Sequence, residues 1–102
     1  MTFNEILATL PTIDHLTGIN ILDNGKPIHQ IPAVPGKLGS LRVYNALATE
    51  FNGKLDRTSA QKGLHLFAEH TEDARQTKGK HPNIDLLLQV IRQDLHYQIE
   101  VF

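Results

Sequence analysis

The stretch Gly18-Ile19-Asn20-Ile21-Leu22-Asp23-Asn24-Gly25-Lys26-Pro27-Ile28-His29-Gln30-Ile31 places two apolar extended runs on either side of an Asn-Gly pair, and its reading decides the fold class. Asparagine and glycine accept the positive φ that a tight hairpin turn requires, so the segment is predicted to be an antiparallel β-hairpin. Pro27 has no N–H to give to a ladder, which puts its strand at an edge. At the far end of the chain Tyr97, Ile99 and Val101 alternate with His96, Gln98 and Glu100, the period of a half-buried strand. The hairpin is the partner available to it.

Helical patterns fill the space between. Thr2 and Glu5 have capping-box spacing, and Phe3, Ile6, Leu7 and Leu10 follow at helical intervals, so a short first helix ends before Pro11. From about Ser40 to Phe51, Leu41, Val43, Tyr44, Leu47, Ala48 and Phe51 share one side of a second helix, with Ser40 as its cap and Asn52-Gly53 as its stop. A third helix, capped by Asp56 or Thr58, carries an apolar stripe through Ala60, Leu64, Phe67, Ala68, Thr71 and Ala74 and runs to about Thr77 before Gly79. Pro82-Asn83 opens a fourth, in which Ile84, Leu86, Leu87, Leu88, Val90, Ile91 and Leu95 cover so much of the surface that it should be the most buried. Strands and helices are segregated, so the expected class is α+β: a small antiparallel sheet, hairpin plus C-terminal strand, packed against about four helices. A length of 102 residues fits one domain, residues 1–102, with a single core.

Composition narrows the function classes. Hydrophobic residues make up 40% and charged residues 21%, an ordinary globular balance. The formal net charge of −1 gives no electrostatic footprint for nucleic acid, and no such partner is expected. With no cysteine there is neither a disulfide framework nor a thiolate site. No apolar run approaches the ~20 residues of a membrane span and Met1-Thr2-Phe3-Asn4-Glu5 lacks a secretion signal, so the expected location is cytoplasmic.

Unusual backbone chemistry and basic side chains coincide at Ile31-Pro32-Ala33-Val34-Pro35-Gly36-Lys37-Leu38-Gly39-Ser40-Leu41-Arg42. Free N–H groups at a helix N-terminus, with Lys37, Ser40 and Arg42 around them, would suit a small anion or phosphorylated ligand. The segment lacks Walker-loop spacing, and a plain strand-to-helix connection accounts for the same residues. Six histidines raise the question of metal, yet they are scattered; only His65, Glu69 and Asp73 follow one another at one-turn intervals on a helix, a weak metal candidate that also reads as a solvated face. His70 falls beside Leu66 and Ala74 at the border of the core, where it could act as a general base if Asp73 oriented it, or simply pack. Arg75, Lys78, Lys80 and His81 crowd the end of the third helix, favoured there by the helix dipole and able to meet an anion or an acidic partner. Tyr44 and Tyr97 should both face inward.

The segments Ile31-Pro-Ala-Val-Pro-Gly-Lys-Leu-Gly-Ser-Leu-Arg-Val-Tyr44, Phe67-Ala-Glu-His-Thr-Glu-Asp-Ala-Arg75 and Gly79-Lys-His-Pro-Asn-Ile-Asp-Leu-Leu87 resemble those of the small bacterial proteins grouped as domain of unknown function 2322. The resemblance covers essentially the whole chain and implies a bacterial single-domain protein. It carries over no activity and no functional residue. No catalytic constellation can be read at any spacing, so the leading expectation is a non-enzymatic interaction or regulatory module, with a protein partner or self-association and no cofactor. Small-anion binding at Gly36–Arg42 is the alternative, and a small enzyme built on His70 ranks third.

Overall fold

In chain order the elements are α1 (Phe3–Leu7), β1 (Gly18–Asp23), β2 (Lys26–Pro32), α2 (Leu38–Glu50), β3 (Lys54–Leu55), α3 (Arg57–Leu66), α4 (Glu69–Gln76), α5 (Pro82–Gln93) and β4 (Tyr97–Val101). This computed structural model describes residues 1–102. The class is α+β, as the segregated patterns require.

Asn24 and Gly25 take positive φ, 51° and 83°, and join β1 to β2 as an antiparallel hairpin. β4 pairs with the other side of β1, setting Ile21 opposite Ile99 and Ile19 opposite Val101. The sheet has four strands in the order β2-β1-β4-β3, so Pro27 does lie on an edge strand. The β1–β2 register shifts between Ile21 and Leu22, leaving Ile28 as an extra residue beside Pro27; a bulge and a proline together blunt this edge against further pairing. β3 has only two residues, too few for any period to reveal. It arises because Asn52 and Gly53 stop α2 at φ of 53° and 77° and turn the chain so that Gly53 O accepts from Ile99 N at 2.7 Å.

One face of the sheet carries Ile19, Ile21, Ile31, Leu55 and Ile99 into a cluster of 17 buried apolar residues shared with the helices. Each fully buried aliphatic side chain there contributes about 1.5–3 kcal/mol before the entropy of ordering it. The opposite face is polar, with Asn20 bonded to Glu100 across the strands. The helix with most buried positions is α2, not α5: Leu41, Val43, Tyr44, Asn45 and Leu47 are buried, because α2 lies between the sheet and the other helices. α3 approaches α2 and α5 closely at Gly63, where a Cβ would stand 2.7 Å from Leu87 Cδ1 and 3.0 Å from Leu47 Cδ1.

Two helix boundaries differ from the sequence expectation. α2 begins at Leu38, with Lys37 at the cap position and Ser40 inside the first turn; Gly36, at φ 88°, makes the reversal that lets the helix start early. The long third helix is two helices, broken at Ala68, whose φ is 51°. Ala68 N turns to His65 O, and the Thr71 hydroxyl takes the Leu64 carbonyl at 2.6 Å, so the break leaves that carbonyl satisfied. The apolar stripe stays in phase across the break, which is why periodicity alone reads it as continuous. The split raises the helix count to five.

The start of α5 is tied down by Asn83. Its carbonyl accepts from the buried Tyr44 hydroxyl at 2.6 Å, and its side-chain oxygen lies 2.6 Å from His29 Nε2. Burial pushes the Tyr44 hydroxyl far above the usual phenol range, so it remains a donor throughout the accessible pH range. Removing that hydroxyl in Tyr44→Phe is expected to cost about 1–2 kcal/mol, seen in thermal denaturation as a fall of roughly 4–16 °C; an unchanged Tm would mean that the bond does not anchor α5.

Candidate functional site

A cavity of about 410 Å³ opens between the N-terminus of α2, the face of α4 and the N-terminus of α5, with α1 as its wall. It owes its shape to the two backbone departures described above. The Gly36 reversal points the first turn of α2 at it, and the break at Ala68 turns α4 so that His70 faces it.

At the α2 end, the first helical bond runs from Leu41 N to Lys37 O at 3.0 Å, so the N–H groups of Leu38, Gly39 and Ser40 have no acceptor in the chain. A lysine at the cap position cannot supply one. Lys37 forms no ion pair, the Ser40 hydroxyl forms no hydrogen bond, and both residues line the cavity. Arg42 does not join them. Its Nε and Nη2 donate to Pro11 O and Leu10 O, both at 3.2 Å, so it clamps the connection after α1 and lines a different cavity with Ile13, Asp14 and Leu16.

The wall is set by Phe3. Its N–H donates to Glu69 Oε1 at 2.8 Å, and its ring stacks on Phe67 at 5.6 Å between centroids. A Cβ on Gly39 would stand 3.2 Å from that ring, so glycine there lets the wall seat against α2. The hydrogen bond from its own backbone N–H, and then that from Phe3 N, hold the Glu69 carboxyl below its usual range. His70 meets Phe3 edge-on at 4.9 Å and lies 5.5 Å from the His81 ring, and its own side chain makes no hydrogen bond.

At the far end Asp73 gathers two donors: His81 Nε2 at 2.8 Å and Lys80 Nζ at 2.9 Å. These bonds, that from His81 first, hold the Asp73 carboxyl below the ordinary 3.8. An ionised carboxylate only accepts, so His81 carries its proton on Nε2 and, when neutral, leaves Nδ1 as a bare acceptor. Asp73 thus orients His81, whereas spacing had offered it to His70. Lys37 and Lys80 are the charged residues lining the cavity, and no carboxylate does.

His65, Glu69 and Asp73 do not converge: His65 is exposed, Glu69 serves the Phe3 N–H and Asp73 serves Lys80 and His81, and no group of three metal-ligating side chains forms. The basic cluster after α4 divides. Arg75 and Lys78 border a second cavity with Arg92 and Asp85, while Lys80 and His81 turn to the first. Tyr44 is fully buried and Tyr97 half-buried, neither of them at the cavity. Sequence reasoning missed the role of Phe3, and it grouped Lys80 and His81 with Arg75 and Lys78 in a separate basic cluster, with no link to Lys37 and Ser40. The usable signal was Pro82 at the first position of a helix, since the residues just before such a proline stand at that helix's N-terminus.

A family profile described as an uncharacterised protein conserved in bacteria, DUF2322, matches residues 3–101. The chain belongs to DUF2322. No curated protein and no solved structure matches it significantly. The residues lining the cavity, from Phe3 to Ile84, all fall within the stretch matched by the DUF2322 profile. No helix of this DUF2322 chain is long and apolar enough to cross a membrane.

The lowered Asp73 value sets a pH test. A carboxyl depressed in the folded state stabilises above its unfolded value and loses that contribution as pH falls through its folded value. Asp73→Asn is therefore expected to melt below the wild type at neutral pH, with the gap closing progressively as pH drops below 3.8. Parallel thermal melts across that range check it. A gap that persists undiminished in acid would mean that Asp73 acts through packing and not through its charge.

Proposed function

We propose that this protein is a binding module for a small anion of the phosphate class, held in the cavity between α2, α4 and α5. The single observation that carries the reading is the lining: Lys37, Lys80, Ser40 and the first turn of α2, whose N–H groups have no acceptor, line one cavity and no carboxylate residue does. A protein of net charge −1 has no general excess of cations, so Lys37, which has no counter-charge, and Lys80, whose one carboxylate partner Asp73 lies outside the lining, mark a place suited to an anion. His70 and His81 add ring nitrogens to the lining. The volume, about 410 Å³, falls within the range of small-molecule sites.

This differs from the loop-only site expected from sequence in one respect that matters for design of the test: the second cation is Lys80 and not Arg42. An interaction module has less in its favour. The β2 edge is interrupted by Pro27 and the bulge at Ile28, and the outer face of the sheet is polar. The cytoplasm of a bacterial cell is the setting in which we place the module.

In a phosphate-free buffer, inorganic phosphate at ~100 times its dissociation constant should add ~2.7 kcal/mol, a rise in Tm on the order of 10 °C. Lys37→Ala and Lys80→Ala should each weaken binding about tenfold, the scale of one charge-assisted hydrogen bond, whereas Lys78→Ala at the second cavity should leave it intact. Absence of any rise up to 50 mM phosphate, or a rise abolished by Lys78→Ala and kept in Lys37→Ala, would overturn the assignment.

A further inference from the structure

The cavity is not uniformly polar. Phe3, Leu7, Leu38, Phe67 and Ile84 form its apolar part. Of these, Leu38 is the most exposed, at 45%; it holds the first position of α2 and also borders the neighbouring cavity of Arg42. A leucine exposed at the mouth of a cationic cavity gains nothing from inorganic phosphate. It gains from an apolar group attached to the anion.

On that basis, and resting on the anion reading above, we infer that the ligand is an organic phosphate monoester with a compact apolar or aromatic body, its phosphate at Lys37, Ser40 and Lys80 and its body against Leu38 and the Phe3 edge. The donor set favours phosphate over carboxylate. Two ammonium groups, one hydroxyl and three backbone N–H groups exceed what the two oxygens of a carboxylate can use, whereas the three terminal oxygens of a phosphate monoester engage more of them. The aromatic preference follows from the wall. Phe3 stacks on Phe67 and meets His70 edge-on at 4.9 Å, so the wall is built from ring-on-ring contacts that an aromatic body of the ligand would extend. Bulk is limited on the α1 side, where Phe3 is locked by Glu69 and by its seat over Gly39, so the body must extend outward over Leu38.

The test is a ¹H–¹⁵N titration of the full chain with four probes: phenyl phosphate, inorganic phosphate, benzoate and phenol. Shifts are followed at the Leu38, Gly39 and Ser40 amides. Phenyl phosphate should bind roughly tenfold more tightly than inorganic phosphate, the factor expected from burying about 50 Å² of apolar surface. Benzoate should be weaker than phenyl phosphate, and phenol should leave those amides unmoved. Leu38→Ala, at an exposed helical position where alanine is well tolerated, should bring the phenyl phosphate and inorganic phosphate constants together.

Equal affinity for phenyl phosphate and inorganic phosphate would overturn this inference and leave the anion reading standing. A preference for phenyl phosphate that survives Leu38→Ala would also overturn it, because the body would then lie elsewhere. Benzoate binding as tightly as phenyl phosphate would contradict the phosphate assignment. Movement of these amides by none of the four, or by phenol alone, would remove the anion reading itself.

Discussion

Asn83 is the constraint on which the rest of the structure depends. It is buried at the second position of α5, with its carbonyl held by the Tyr44 hydroxyl of α2 and its side-chain oxygen against His29 of β2, both at 2.6 Å. Three elements distant in sequence therefore meet at one residue. Buried polar groups are retained only when partnered, and here every buried side-chain polar atom finds a partner. Pro82, immediately before, fixes its own φ and restricts the backbone of His81. The start of α5 is thus aimed at the start of α2, and the cavity is the space left between them.

That geometry explains how a nearly neutral chain presents a cationic site. Acidic side chains are not scarce nearby, but each is occupied facing away from the opening: Glu69 holds the Phe3 N–H, Asp85 takes the Gly79 N–H at 3.0 Å, and Asp73 sits behind His81 and Lys80. Asp73 has two effects on the site. It lowers the local charge by pairing with Lys80, and it orients His81 so that Nδ1 is the free nitrogen. Exposed pairs of this kind contribute about 0–1 kcal/mol to stability, so their consequence is positional more than energetic.

The fold was largely legible because its decisive signals are local. Asn24-Gly25 demands positive φ, the Tyr97–Val101 alternation has a period of two, and Thr2 with Glu5 and Asp56 with Ser59 form capping boxes in the structure. What escaped was anything that preserved periodicity while changing direction. The break at Ala68 keeps Phe67, Thr71 and Ala74 inward on both sides, so no pattern marks it. The start of α2 was misplaced because Ser40 has the chemistry of a cap, while the Gly36 reversal had already begun the helix. The site was half legible for the same reason. Lys37 and Ser40 belong to a motif visible in the chain, whereas Lys80, His81 and Phe3 reach them only through tertiary placement, and Arg42 is diverted to two carbonyls that spacing cannot reveal.

The most direct test of the central claim is a crystal structure grown or soaked with tungstate, a heavy phosphate analogue located by its anomalous signal. The account predicts one dominant peak within hydrogen-bond reach of the Leu38–Ser40 amides, Lys37 and Lys80. A peak confined to Arg75, Lys78 and Arg92, or anomalous density nowhere in the cavity between α2 and α5, would contradict it.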